Sequence, residues 1–143
     1  MRFPAVLLAT LVLAACSKAP VKRSDSQPVD PAVVQFLLAA AASDFHAHRP
    51  PDLGPFRDVR IGYVKTPGGE PQYMLCGRFL PAQDARNAEG TPFVTIKTSG
   101  YEQYVGAQAE AAYCQRPSVV WDEEGDLSTS LQSRLDSLDR EGS

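Results

Sequence analysis

The chain begins with a run of apolar residues that no charge interrupts, and this run decides which part of the chain can fold as a domain. Arg2 supplies a positive charge, and Phe3 to Ala15 follow without one. A helix that crosses a bilayer needs about 20 apolar residues, so this run is too short to span one. Such a pattern is typical of a secretion signal that is removed. We predict a signal peptide at residues 1–15; the alternative is a buried N-terminal helix.

The run ends in Leu13-Ala14-Ala15-Cys16, which resembles the lipobox of bacterial lipoproteins. The resemblance implies that Cys16 begins the mature protein. It also implies that the Cys16 sulfur carries a diacylglyceryl group and that its amino group carries an acyl chain such as palmitate. Several acyl chains together hold a protein at a membrane essentially permanently. In enteric lipoproteins an aspartate after the cysteine favours inner-membrane retention. Ser17 at this position therefore implies the outer membrane, facing the periplasm, and inner-membrane retention stays open.

The chain contains three cysteines, an odd number. Lipidation of Cys16 leaves Cys76 and Cys114 as two thiols in an oxidising compartment, where we predict that they form a disulfide. A metal pair or a catalytic cysteine would be the competing roles. Neither has support, because the chain has no CxxC motif and neither cysteine has a histidine nearby in sequence.

The lipobox also divides the chain into a tether and a domain. Residues 16–29 contain two prolines and no aromatic residue, which predicts a flexible tether. Residues 30–143 have a length that suits one small domain. The formal net charge of the whole chain is −3, so no basic excess indicates a nucleic-acid partner.

Asp30-Pro31 marks the start of the first helix of the domain, because aspartate caps helices and proline suits the first helical position. We predict a helix over 31–47, ended by the prolines that follow. Its apolar residues recur at helical spacing and define a buried face: Val34, Leu37, Leu38, Ala41 and Phe45.

After this helix the apolar residues alternate with a period of two, which predicts β-strands. We expect strands at 58–65, 73–79, 92–98, 101–105 and 117–121, a short helix at 107–114, and a C-terminal helix with a stripe formed by Leu127, Leu131, Leu135 and Leu138. The predicted fold class is α+β: a small antiparallel sheet of three to five strands with an N-terminal, a short and a C-terminal helix and one disulfide.

Three short segments of the domain are similar to a pattern found in small, mostly uncharacterised secreted proteins and lipoproteins of Proteobacteria. They are Phe56-Arg57-Asp58-Val59-Arg60, Cys76-Gly77-Arg78-Phe79 and Pro92-Phe93-Val94. The similarity covers roughly residues 32–114. The loop at 81–90 departs from the Asn- and Gly-rich stretch of that pattern.

Catalytic and metal motifs are few. Asp44, His46 and His48 form a D-x-H-x-H sequence, but on a helix alternate side chains diverge, so we expect a surface histidine pair and no metal site. The sequence contains no nucleophile elbow, P-loop or EF-hand loop. We therefore expect no cofactor and no catalytic residues, although a pair of carboxylates for glycoside hydrolysis is left open.

Aromatic and acidic residues late in the chain are candidates for a protein-binding surface, because tyrosine and tryptophan are favoured in interfaces. The candidates are Tyr101, Tyr104, Trp121, Asp122, Glu123 and Glu124. Core packing of the aromatic residues and ordinary solvation of the acids are the alternatives. We expect a membrane-anchored protein that binds a protein partner, as an immunity protein or inhibitor against a periplasm-acting toxin or lytic enzyme. The alternatives are an envelope structural or assembly lipoprotein and an envelope hydrolase.

Overall fold

Helix α1, Pro31–Ala47, lies where the sequence predicts it. The Asp30 carboxylate accepts a hydrogen bond of 2.8 Å from the N–H of Ala32, and this bond satisfies one of the free donors at the helix start. The computed structural model describes residues 28–143, so the predicted signal peptide, Cys16 and most of the predicted tether lie outside the described residues. Val29, at the end of the predicted tether, is buried in the core, so packing of the chain begins before Asp30.

Within residues 28–143 the domain has five strands: β1, Phe56–Lys65; β2, Pro71–Phe79; β3, Thr91–Lys97; β4, Tyr101–Val105; and β5, Val120–Trp121. They form one antiparallel sheet with the order β4-β3-β2-β1-β5. The sheet and its helices confirm the predicted α+β class. The last strand is shorter than predicted, because only Val120 and Trp121 pair with β1.

The first face of the sheet is covered by α1 and by the C-terminal helix α3, Ser128–Glu141. Phe45 of α1 lies at the centre of this core. Its ring centroid is 5.1 Å from that of Phe56 and 5.0 Å from that of Phe93. Leu131 and Leu135 of α3 are buried beside them, as the leucine stripe predicts. Most of the large apolar side chains therefore lie on this one face.

The second face of the sheet is covered by a shorter helical segment, α2, which begins as an α-helix at Ala107–Ala109 and continues as a π-helix at Glu110–Cys114. The predicted disulfide between Cys76 of β2 and Cys114 is present and fixes the end of α2 to the sheet. A smaller apolar cluster, which includes Met74, Val94 and Ile96, fills the space between them.

A β-bulge in β1 changes the direction of the side chains at the start of the strand. The pairing with β2 shifts between Arg57 and Arg60, and Asp58 has a left-handed φ of 53°. The extra residue lets Phe56 and Val59 both point into the core, although three positions separate them. The strand accordingly begins at Phe56, two residues before the predicted start, because simple alternation does not continue through the bulge. Within residues 28–143, the helices are too short or too polar to span a membrane.

Candidate protein-binding site

Strand β4 forms one edge of the sheet and carries most of the large apolar side chains that the described residues expose. Tyr101, Tyr104 and Val105 are 37%, 41% and 49% exposed. Phe36 of α1, which is 38% exposed, is the fourth in this group. Nζ of Lys97, the residue paired with Tyr101, lies 5.2 Å from the Phe36 ring centroid, which places Phe36 beside β4.

The backbone N–H and C=O groups of alternate residues in β4 point toward the free edge of the sheet. Just beyond the two ends of β4, the N–H of Gly106 bonds to the carbonyl of Pro92 at 2.8 Å, and the N–H of Thr98 bonds to the carbonyl of Gly100 at 3.0 Å. Hydrogen-bonded and non-hydrogen-bonded pairs alternate along an antiparallel ladder. In the observed register, the N–H and C=O groups of Tyr101, Gln103 and Val105 therefore point away from β3. Within residues 28–143, no strand pairs with this side of β4.

Hydrogen bonds hold the two tyrosines on opposite faces of the sheet. The hydroxyl of Tyr101 donates to Asp44 of α1 at 3.2 Å, and the hydroxyl of Tyr104 donates to Glu102 at 2.9 Å. Desolvation and the nearby Asp44 carboxylate raise the pKa of Tyr101. The hydrogen bond to Glu102 raises the pKa of Tyr104. The ring of Tyr104 also stacks on that of Tyr113 with a centroid distance of 5.8 Å, so α2 supports its orientation.

The other candidate residues lie at the opposite edge of the sheet. Trp121 belongs to β5, and Asp122, Glu123 and Glu124 follow it in the turn toward α3. The guanidinium of Arg60 lies 4.1 Å from the Trp121 ring centroid, so the ring is partly covered. The structure therefore separates the six predicted residues into two groups, and β1, β2 and β3 lie between them.

A groove of about 460 Å³ crosses the second face near β5 and contains carboxylates from three parts of the chain: Asp58, Glu110 and Asp126. Glu110 forms an ion pair of 2.5 Å with Arg78. Burial opposes ionisation of Asp126, but hydrogen bonds from the Ser128 hydroxyl and from backbone N–H groups lower its pKa overall. Both carboxylates thus have structural partners.

The two histidines lie near the end of α1, as predicted. His46 Nδ1 and one oxygen of Asp139 on α3 are 2.9 Å apart, and the Arg49 guanidinium donates to the same carboxylate at 2.6 Å. These contacts lower the pKa of Asp139, with the His46 hydrogen bond as the largest cause. Within residues 28–143, no group of three histidine, cysteine or acidic side chains is arranged to hold a metal ion.

Sequence reasoning did not identify Val105 or Phe36 as surface candidates. Phe36 offered a signal, because it falls outside the helical stripe that contains Leu37 and Phe45 and so points away from the core. Val105 offered none, because a valine in a strand is equally suited to a buried position. Its exposure follows only from the position of β4 at the sheet edge.

Comparison with known proteins gives no relative from which to transfer a function. No family model matches the chain, and neither a curated protein nor a solved structure is significantly similar to it. The resemblances drawn from short motifs stay predictions.

Proposed function

We propose that this chain is a membrane-anchored, non-enzymatic lipoprotein that binds a protein partner through the free edge of β4. One observation carries the proposal. The four large apolar side chains that residues 28–143 expose lie on β4 or next to it: Phe36, Tyr101, Tyr104 and Val105. Exposed apolar side chains that cluster, as opposed to single ones, mark interaction surfaces.

The backbone of β4 supports a particular mode of binding. Its outward N–H and C=O groups at Tyr101, Gln103 and Val105 offer alternating donors and acceptors to an extended segment of a partner. Partners that add a strand to a sheet edge use such main-chain hydrogen bonds for affinity and the alternating side chains for specificity. The exposed tyrosines then supply the apolar contacts.

The groove on the second face supports an envelope hydrolase less well than the β4 edge supports protein binding. Glycoside hydrolysis needs one carboxyl group that stays protonated as a general acid. The pKa of Asp126 is lowered, which is the opposite of what a general acid requires. This groove therefore gives little support to acid catalysis by Asp126.

We further propose, from the lipobox resemblance, that Cys16 anchors the chain in the outer membrane and that the tether holds the binding edge on the periplasmic side. We propose inhibition of a periplasm-acting toxin or lytic enzyme as the role of this binding. Capture from periplasmic extract tests it, with the unlipidated Cys16→Ser chain as bait and Val105→Glu as the edge variant. Thr129→Glu is the matched control, since Thr129 is an exposed β-branched residue at the start of α3, outside the β4 edge.

We expect the wild-type bait and the Thr129→Glu bait to retain a lytic enzyme in an inactive form, and the Val105→Glu bait to lose it. Recovery of envelope assembly proteins alone, with lytic activity untouched, would contradict inhibition and favour the structural role. Equal capture by all three baits would contradict binding at the β4 edge.

The anchor has a separate test. Replacing Cys16 with serine removes the acylation site, so the variant should leave the membrane fraction and retain its fold by circular dichroism. A variant that stayed in the membrane fraction would contradict the lipoprotein assignment.

A further inference from the structure

Three arginines line a second, shallow groove of about 480 Å³ at the bulged end of β1: Arg57, Arg78 and Arg86. Arg57 and Arg78 are directly opposite each other in the β1–β2 ladder, and Arg86 comes from the turn before β3. Like charges directly opposite on a sheet destabilise it. Carboxylates partly balance these charges: Asp58 Oδ2 lies 3.5 Å from Arg57, and Glu110 lies 2.5 Å from Arg78.

The bulge at Asp58 brings Arg57 to this groove. Without an extra residue, Arg57 and Arg60 would point to opposite faces, because three positions separate them. The bulge keeps Arg57 opposite Arg78, and Asp58 Oδ2 lies 3.5 Å from Arg57 Nε. Bulges of this kind redirect side chains and are common next to functional sites.

The central arginine is held in place before any ligand arrives. Arg78 donates to Glu110 at 2.5 Å and to the carbonyl of Gly90 at 3.4 Å, and its side chain is 28% exposed. A guanidinium has five N–H donors, so these two bonds leave others free. Arg57 and Arg86 are exposed and able to approach from either side. The groove therefore combines one fixed and two adjustable guanidinium groups.

We propose that this groove binds a phosphate group. A single carboxylate is satisfied by one guanidinium in a bidentate pair, whereas a phosphate offers more oxygens and accepts donors from several directions. Three guanidinium groups from three segments of the chain therefore suit a phosphate better than a carboxylate. Asp58 and Glu89 also line the groove, and Glu110 is paired with Arg78. Three carboxylates therefore oppose the three arginines, and the affinity for phosphate depends on the guanidinium N–H donors that they leave free.

Titration of the purified full-length chain at constant ionic strength, followed by backbone amide chemical shifts, tests this proposal. The first arm uses inorganic phosphate, and the second uses glycerophosphoglycerol, the deacylated headgroup of an anionic phospholipid. Saturable shifts at residues of this groove with inorganic phosphate alone indicate a free phosphate ligand. Equal or tighter binding of the phosphodiester indicates a lipid headgroup.

Variants distinguish a built site from general attraction of anions. Arg86→Gln should weaken binding about tenfold, because it removes a charge-assisted hydrogen bond. Arg140→Gln on α3 is the matched control and should leave binding unchanged, and Glu89→Gln should tighten it by removing a repulsive carboxylate. The proposal is overturned if neither probe saturates, if Arg140→Gln weakens binding as much as Arg86→Gln, or if Glu89→Gln fails to tighten it.

Discussion

The two edges of this sheet are built differently. The β4 edge presents five residues without a proline, and its exposed side chains include two tyrosines and a valine. The β5 edge consists of two paired residues, and Arg60 lies over its tryptophan. Proteins commonly protect sheet edges with short strands or charged side chains, and an unprotected edge is a template for pairing with another chain. Glu102 is the one charged residue of β4, and the contrast favours β4 over β5 as the edge of the proposed binding site.

The segment that follows β5 is hydrogen-bonded to β1 beyond the two paired residues. The N–H of Asp122 bonds to the carbonyl of Ile61 at 3.0 Å, and the N–H of Leu127 bonds to the carbonyl of Val59 at 2.8 Å. An ideal Cβ at Gly62 would lie 2.9 Å from Trp121, so only glycine lets the ring approach β1 this closely. This edge is therefore part of the packed structure.

Removal of the disulfide should have the largest effect on stability. Replacing both Cys76 and Cys114 with alanine frees the end of α2 and should lower the free energy of unfolding by about 4 kcal/mol. Urea unfolding of the oxidised wild type and the double variant measures this. A loss under about 1 kcal/mol would mean that packing alone holds α2 over the second face.

Amide hydrogen exchange in the free protein tests the difference in backbone direction. Tyr101, Gln103 and Val105 should exchange faster than Glu102 and Tyr104 by a factor on the order of a hundred, because only the latter two donate to β3. NMR of the exchanging protein gives the rates residue by residue. Uniform protection along β4 would show that something already covers this edge.

A proline at the outer side of β4 tests strand addition. Val105→Pro removes one outward N–H and should weaken partner capture about fivefold, whereas Val105→Thr keeps the N–H and a similar shape. The amount of partner retained per mole of bait is the readout. If both variants bind equally, the partner contacts side chains and not the backbone of the edge.

Hydrogen bonds at the start of α3 make a smaller, pH-dependent contribution to the free energy of unfolding. The hydroxyl and N–H of Ser128 donate to Asp126, and the Ser128 Oγ accepts from the N–H of Val59 at 3.1 Å. The lowered pKa of Asp126 means that its contribution is present above the ordinary value of 3.8 and is lost as the pH falls through the lower folded value.

Asp126→Asn keeps an acceptor oxygen but removes the charge that strengthens the two hydrogen bonds from Ser128, so it should cost about 1 kcal/mol at pH 7 and less at pH 2 to 3. Urea unfolding at several pH values measures the difference between the two proteins. A difference that grew with acidity would contradict the assigned role of the carboxylate.

The smallest expected effect concerns the protected edge. Arg60→Gln removes the cation over Trp121 and should lower the free energy of unfolding by about 0.5 to 1 kcal/mol. Trp121 fluorescence should become more accessible to a neutral quencher. Unchanged quenching would indicate that Arg60 does not cover the ring in solution.

Local signals in the sequence identify individual elements well. Asp30 and Pro31 predict the start of α1 because cap and first-turn chemistry involve only neighbouring residues. The strands predicted at 58–65 and 73–79 follow in the same way from alternation of apolar residues, and they pair as β1 and β2. These predictions depend on contacts within a few positions of the chain.

The candidate site was harder to predict because it depends on strand order. Tyr101 and Trp121 are both aromatic strand residues, and only the arrangement β4-β3-β2-β1-β5 places them at opposite edges. The bulge at Asp58 carries no glycine or proline signal, so the arginine groove beside it was not apparent either. Long-range pairing decides both features.

Photo-cross-linking of the full-length protein in its own cells tests partner binding at the β4 edge most directly. A photoreactive phenylalanine analogue replaces Tyr104 at the β4 edge in one strain and Trp121 at the β5 edge in another. We expect a covalent adduct with a second protein from position 104 and none from position 121. An adduct from position 121 alone, or none from either position, would contradict a protein-binding site at the β4 edge.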